Sequence, residues 1–376
     1  MSAPGIGTRL GSFDTLRLTF AVLVIVSHSF ALVRDSANRE PLVFLTHGQI
    51  TLGNASVLAF FAISGYLISK SWSRCPSPVD YLHRRAARIY PAFIVAALVS
   101  LVVIVPLAGG SLPHGFRAYA DFGIQTLTLQ NIPHAPIFTT NVRSNVLNGS
   151  LWSVRIEFWC YIGLMFLGMT TLIRRKVLLL LILACAVCWH LSLMIGYAWG
   201  YSSIAEMIFG NLFDWSNVLP CFLAGMIFHQ FGGPVLIRRK YMIVAAIALI
   251  ASNFIPYAYV FTLPICGTYL LMGIAFSPVL QPVNLGRFGD FSYGTYLYAY
   301  PVQQLIVRWF GIALSPMALF LLAAPISVGL GVLSWFLVER HFLSRSTVLQ
   351  HTGHVPANEE QSYMDRAEAA ATGAAD

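Results

Sequence analysis

"LRLTFAVLVIVSHSF", Leu16 to Phe30, is an apolar run with an arginine, Arg17, near one end and a histidine, His28, near the other. With the apolar residues that follow it reaches Val33, which meets the roughly 17 to 25 residues that a bilayer-crossing helix needs. Arg17 and His28 are eleven residues apart. At about 100° per residue they differ by about 20° around a helix and by about 16 Å along it, so they line one face at two depths. An ionisable side chain costs on the order of 2.5 to 3.5 kcal/mol in the middle of a membrane helix, so such residues usually face an interior cavity and mark function.

The rest of the chain extends this pattern. Of its 376 residues, 57% are hydrophobic and 10% charged, and its mean hydropathy is +0.70. That composition lies outside the range of soluble domains and indicates an all-α, polytopic membrane helix bundle. Apolar runs near 16–33, 54–71, 90–108, 152–172, 177–194, 214–230, 241–257, 260–278, 291–311 and 316–338 predict about ten transmembrane helices. Lysine and arginine set the orientation. With a cytoplasmic N-terminus, 17 of the 23 basic residues fall on the cytoplasmic side, and only Arg34, Arg39, Arg117 and Arg143 fall in the opposite loops. Both termini are therefore expected in the cytoplasm of a multi-pass cell-membrane protein, the inner membrane if the source is bacterial, with membrane lipids as partners. The first apolar run has no clear small-residue cleavage site after it and reads as a retained helix.

The net charge of +8 raises a nucleic-acid partner, but the basic residues cluster between apolar runs rather than along one exposed face. No nucleic acid is expected. The six cysteines are scattered. Cys185 and Cys188 form a CxxC inside "LLLLILACAVCWHL", where cysteine is an ordinary packing residue, so neither a disulfide framework nor a metal site is expected. Residues 1–345 read as one integral-membrane domain and 346–376, polar and small, as a disordered cytoplasmic tail. The 109–151 segment, rich in Gly, Pro, Asn and Ser, reads as an external loop or partly re-entrant segment.

Three further stretches carry chemistry. In "NGSLWSVRIEFWCY", Glu157 lies five residues into the fourth helix, roughly 8 Å deep, the depth at which His28 lies from the same side. Either this pair serves function, or each member bonds another helix, or Arg155 neutralises Glu157. In "HRRAARIYP", residues 83–91, Arg84 and Arg88 share a helix face, and Pro91 is placed to open the third helix. Guanidinium forks suit phosphate groups, although a positive-inside cluster or lipid-headgroup contact is the first account of the bare residues. In "FFAISGYLIS", residues 60–69, Ser64 and Gly65 mark a close helix approach or a cavity. Without a GxSxG pattern Ser64 is no hydrolase nucleophile.

In this order and at these intervals, "FDTLRLTFAVLVIVSHSF", "FFAISGYLIS", "RRAARIYP", "NGSLWSVRIEFWCY" and "FSYGTYLYAYPVQQLI" resemble the acyltransferase 3 family of integral-membrane O-acyltransferases. The likeness runs from about residue 10 to 345. It implies that Arg17, His28, Arg84, Arg88 and Glu157 are functional. It also implies a cytoplasmic acyl-CoA co-substrate, commonly acetyl-CoA, that donates its acyl group to a hydroxyl of a surface glycan, polysaccharide, lipopolysaccharide or lipid-linked sugar. No bound cofactor is implied. The chain departs from the family in one place, where Ala299 in "YLYAYP" replaces a histidine that many members carry.

The resulting expectation has His28 and Glu157 as the catalytic pair. Arg17, Arg84, Arg85 and Arg88 hold acyl-CoA, and Ser64, Trp152 and Arg155 contact substrate. Two roles are open to His28, general base and covalent acyl carrier. The rival function is a secondary transporter or exporter of a lipid-linked glycan, with Arg17, His28 and Glu157 along a pathway or proton relay.

Overall fold

Helix starts in this chain are written by short polar residues and prolines. Ser77 accepts from the Asp80 amide with Pro78 in the first helical turn, Asn211 accepts from the Phe213 amide, and Ser315 accepts from the Ala318 amide with Pro316 following it. A capping oxygen satisfies one amide that the helix cannot, and proline at the first position loses nothing by lacking one.

The computed structural model describes residues 6–33, 36–74, 77–130, 136–197, 203–280 and 285–343. Among them the regular structure is helical throughout. In chain order the main helices are α1 (Ile6–Leu32), α2 (Leu52–Arg74), α3 (Pro78–Leu107, with a π-helical turn at Ser100–Ile104), α4 (Gly115–Leu127), α5 (Trp152–Met169), α6 (Lys176–Met194), α7 (Leu212–Gln230), α8 (Arg239–Ala251), α9 (Tyr259–Ala275), α10 (Ser292–Phe310) and α11 (Pro316–Leu343). Five are long and apolar enough to cross a bilayer by length and composition: Ser12–Leu32, Leu52–Arg74, Pro78–Leu107, Lys176–Met194 and Pro316–Leu343. Helices also occupy the other apolar runs.

At the centre stands α10, with 16 of its 19 residues buried. Because other helices surround it, it needs no apolar face toward lipid and can carry Gln303 and Gln304. Gln303 donates to the Ile25 carbonyl and to Ser29 Oγ of α1, each at 2.8 Å. Gln304 donates to the Arg143 and Val146 carbonyls, and Asn141 donates back to its side chain. These bonds seat residues 141–146 on α10.

The other close contact is between α2 and α7. A Cβ at Gly65 would lie 2.0 Å from the Phe222 carbonyl oxygen, and one at Gly225 would lie 2.0 Å from that of Ala62. Two glycines therefore let the helix backbones touch, as small residues do in membrane interfaces.

Two expectations change. Pro91 lies inside α3 rather than at its start, because Ser77 and Pro78 supply an earlier cap. Proline is tolerated inside membrane helices because neighbouring groups re-satisfy the freed backbone. The 109–151 segment also contains a 13-residue helix, α4, with Phe122 and Thr126 buried on one side. The tail, 346–376, lies outside the described residues.

Candidate active site

One end of the bundle gathers charge. Asp290, just before α10, accepts through Oδ2 from Arg17 Nη1 of α1 at 2.9 Å and from Arg88 Nη2 of α3. Its Oδ1 accepts from the amide and the hydroxyl of Ser292. Arg88 also reaches Glu339 of α11 at 3.4 Å, and Ser334 donates to the other oxygen of that carboxylate at 2.9 Å. Both oxygens of each carboxylate are thus used. Burial pushes the Asp290 carboxyl up, but the Arg88 and Arg17 charges and the two Ser292 bonds outweigh it and hold it down at about 2. A buried ion cluster is stable only when it is this completely bonded.

The next two arginines differ. Arg84 Nη2 and Arg85 Nε are buried and have no hydrogen-bond partner among the described residues. They lie one helical turn from Arg88 on α3, with Arg85 in electrostatic reach of Tyr81 and Tyr161. Buried cationic donors without partners are costly, and an anionic ligand would supply what they lack.

Further into the bundle, Ser64 Oγ of α2 and the Tyr161 hydroxyl of α5 both donate to Glu157 Oε1 at 2.5 Å, and the two hydroxyls are 3.1 Å apart. Glu157 shares a small cavity with Arg17, Phe60, Ser153, Tyr293 and Tyr296. Tyr296 donates to the Ser150 carbonyl and lies 2.7 Å from Ser153 Oγ, which ties α10 to the entry of α5.

His28 sits beyond this layer. Its ring meets Tyr300 edge-on, with centroids 5.1 Å apart, and its Nδ1 is buried without a partner among the described residues. Tyr300 is four residues beyond Tyr296, about 6 Å along α10. A Cβ at Gly149 would lie 2.8 Å from the Tyr300 ring, so the glycine of "NGS" allows the loop to close over it. Ala299 is buried in an apolar cluster with Ile25 and Tyr300.

The structure therefore joins Arg17 with Arg88, Ser64 with Glu157, and the Glu157 cavity with Arg17. Glu157 bonds Ser64 and Tyr161, and His28 packs on Tyr300, which is one turn along α10 from the Tyr296 of the Glu157 cavity. Trp152 is half-buried against the main core. The Arg155 guanidinium lies against Gly210, before α7, and does not line the Glu157 cavity. Asp290, Glu339, Tyr161, Tyr296 and Tyr300 join the site without having stood out in the chain. A carboxylate inside the apolar "LSWFLVER" was a legible signal for Glu339, and "GDFS", where Asp290 caps its own turn, was one for Asp290.

Comparison with known proteins bears on this geometry. Residues 10–337 match an acyltransferase domain, that of the acyltransferase 3 family. The chain belongs to the acyltransferase 3 family. It is 33% identical over 351 residues to an O-acetyl transferase of Shigella phage Sf6, covering 89% of this chain and 96% of that relative. It is 26% identical over 358 residues to nodulation protein 10 of Rhizobium leguminosarum bv. viciae, covering 90% and 94%. It is also 35% identical over 154 residues to acyltransferase MdmB of Streptomyces mycarofaciens, covering 41% and 38%. No solved structure matches. This acyltransferase 3 protein is accordingly an O-acyltransferase with membrane helices, and the exporter reading gives way to it.

Proposed function

We propose that the protein moves an acyl group, acetyl in the first instance, from cytoplasmic acyl-CoA to a hydroxyl of an extracytoplasmic polysaccharide or glycolipid sugar. In this reading ten helices cross the cell membrane, both termini are cytoplasmic, and the end carrying Arg17 and Arg88 faces the donor.

The observation that carries the reading is the ordering of unsatisfied groups through the bundle. Arg84 and Arg85, with buried donors lacking partners, lie at one end, and His28, with an unpartnered ring nitrogen, lies toward the other. Arg84 and Arg85 take the coenzyme A phosphates through charge-assisted hydrogen bonds. The Arg17–Asp290–Arg88–Glu339 cluster fixes α1, α3, α10 and α11 around the neck through which the pantetheine arm passes. Ser64 and Tyr161 give their hydroxyl protons to Glu157, so their oxygens are the atoms that accept from the amide N–H groups of the arm. His28 takes the proton of the acceptor hydroxyl while its oxygen attacks the thioester carbonyl. The new C–O ester bond forms, the C–S bond breaks, and the coenzyme A thiolate leaves and receives the proton from His28. Trp152 and Arg155 are the candidates for contact with the outer part of the acceptor.

The test follows labelled acetyl from acetyl-CoA into surface glycan in membrane vesicles. Transfer by the native protein and its loss in a correctly inserted His28→Ala variant would support the reading. Equal transfer by the two would remove His28 from the chemistry.

A further inference from the structure

The cavity that holds Glu157 is small. Its volume is about 30 Å³, and about 10 to 15 Å³ is the least that holds one water molecule, so it has room for a group of about two or three heavy atoms. It reaches from Arg17 and Ser292 at the charged end to Val57 and Tyr296. Tyr296 is one turn along α10 from Tyr300, whose ring meets His28 edge-on. In the acyl-CoA reading, an acyl group that leads its carrier from the arginines toward His28 passes through this space.

The walls differ in what fixes them. Tyr296 is held by its hydroxyl, which donates to the Ser150 carbonyl at 2.8 Å and lies 2.7 Å from Ser153 Oγ. Tyr293 donates to the Ile89 carbonyl at 3.1 Å, and the Arg88 guanidinium lies over its ring. Moving either ring would cost a buried hydrogen bond. Phe60 has no polar atom and is held by ring edges, with Tyr296 on one side at a centroid distance of 6.0 Å and Phe20 on the other at 6.1 Å. Phe20 belongs to a separate pocket of about 230 Å³, lined mainly by apolar side chains such as Ala59, Leu271 and Ile274. The two phenyl rings thus stand between a cavity the size of an acetyl group and a pocket suited to hydrocarbon.

We propose that Phe60 sets which acyl group the enzyme transfers: its ring closes the Glu157 cavity at acetyl size and shuts longer chains out of the apolar pocket behind it. This rests on the acyl-CoA reading above and adds the side chain that decides acyl length. One methylene too many in a fitted pocket costs about 10- to 200-fold in kcat/KM, so the native protein should favour acetyl-CoA over butyryl-CoA by about 100-fold or more.

The test supplies labelled acetyl-, butyryl- or octanoyl-CoA to membrane vesicles that carry the surface glycan and measures kcat/KM for transfer of label to the glycan. Phe60→Ala should lower the preference for acetyl over butyryl by about tenfold or more. Adding Phe20→Ala should extend the gain to octanoyl, because the chain then reaches the apolar pocket, and Phe60→Trp should raise the preference for acetyl. A variant that merely folds poorly loses all donors together and leaves these ratios as they were, so the ratios report on the wall. Ratios unchanged in both Phe60 variants, or a native protein that uses acetyl and butyryl equally, would overturn the proposal while the acyl-CoA reading stands. Native vesicles that take label from none of the three donors would remove that reading, and the proposal with it.

Discussion

Two groups of basic residues on this protein differ in how fully their hydrogen bonds are used. Arg17 and Arg88 are locked into Asp290 and Glu339, and both oxygens of each carboxylate have partners. Arg84 and Arg85, on the same helix as Arg88, keep buried donors without any among the described residues. The first arrangement is complete without a ligand and holds four chain segments together. The second is incomplete without one. The number of arginines near a cavity is thus a poorer guide to binding than the number of their bonds left open.

The sharpest way to break this division is at the open end. His28→Ala should reduce acyl transfer on the order of 100-fold or more, the usual scale for a proton-transfer group, with expression and detergent stability unchanged. A variant that transfers normally would place His28 with the packing groups.

Next comes the closed cluster. Asp290→Ala leaves two buried guanidinium groups facing one another and should destabilise the protein by on the order of 3 kcal/mol, read as a lower unfolding midpoint in detergent. The sign of the pH dependence follows from the depressed carboxyl. Its contribution to stability is whole above its ordinary value of 3.8 and is lost as pH falls toward about 2. The variant should lose that acid-side dependence, and an unchanged acid profile would show that Asp290 is not the anchor.

A smaller effect should separate the two groups directly. Arg84→Ala and Arg85→Ala should each raise the KM for acyl-CoA about tenfold, since a bond to a charged group is worth about 1.5 to 3 kcal/mol. The unfolding midpoint should stay unchanged, the reverse of Asp290→Ala. Loss of stability with KM unaltered would put these arginines with Arg17 and Arg88. Last, Gly65→Ala pushes a methyl toward the Phe222 carbonyl and should cost about 1 to 3 kcal/mol, measurable by the same unfolding assay. No loss would mean that α2 and α7 can part without consequence.

Much of this was legible in the chain itself. Apolar runs placed helices where helices occur, because a membrane helix must satisfy its backbone internally and display apolar side chains over a fixed length. Arg17, His28, Ser64, Arg84, Arg88 and Glu157 stood out because ionisable or small residues break such runs. The partners did not. Asp290 is 273 residues from Arg17, and Glu339 is 251 from Arg88, and no local pattern links positions so far apart. Nor could helix periodicity tell that Glu157 bonds Ser64 and Tyr161: a depth along one helix says nothing of rotation or tilt against the next.

The amino-acid sequence by itself determined the helical membrane class, the family and the residue types of the site, because hydropathy and spacing along one helix are local properties. Only the tertiary structure decided which arginines are spent and which are open, and that α10 is the central pillar despite its glutamines. Those are properties of contacts between distant segments, set by how the helices rotate and close upon one another.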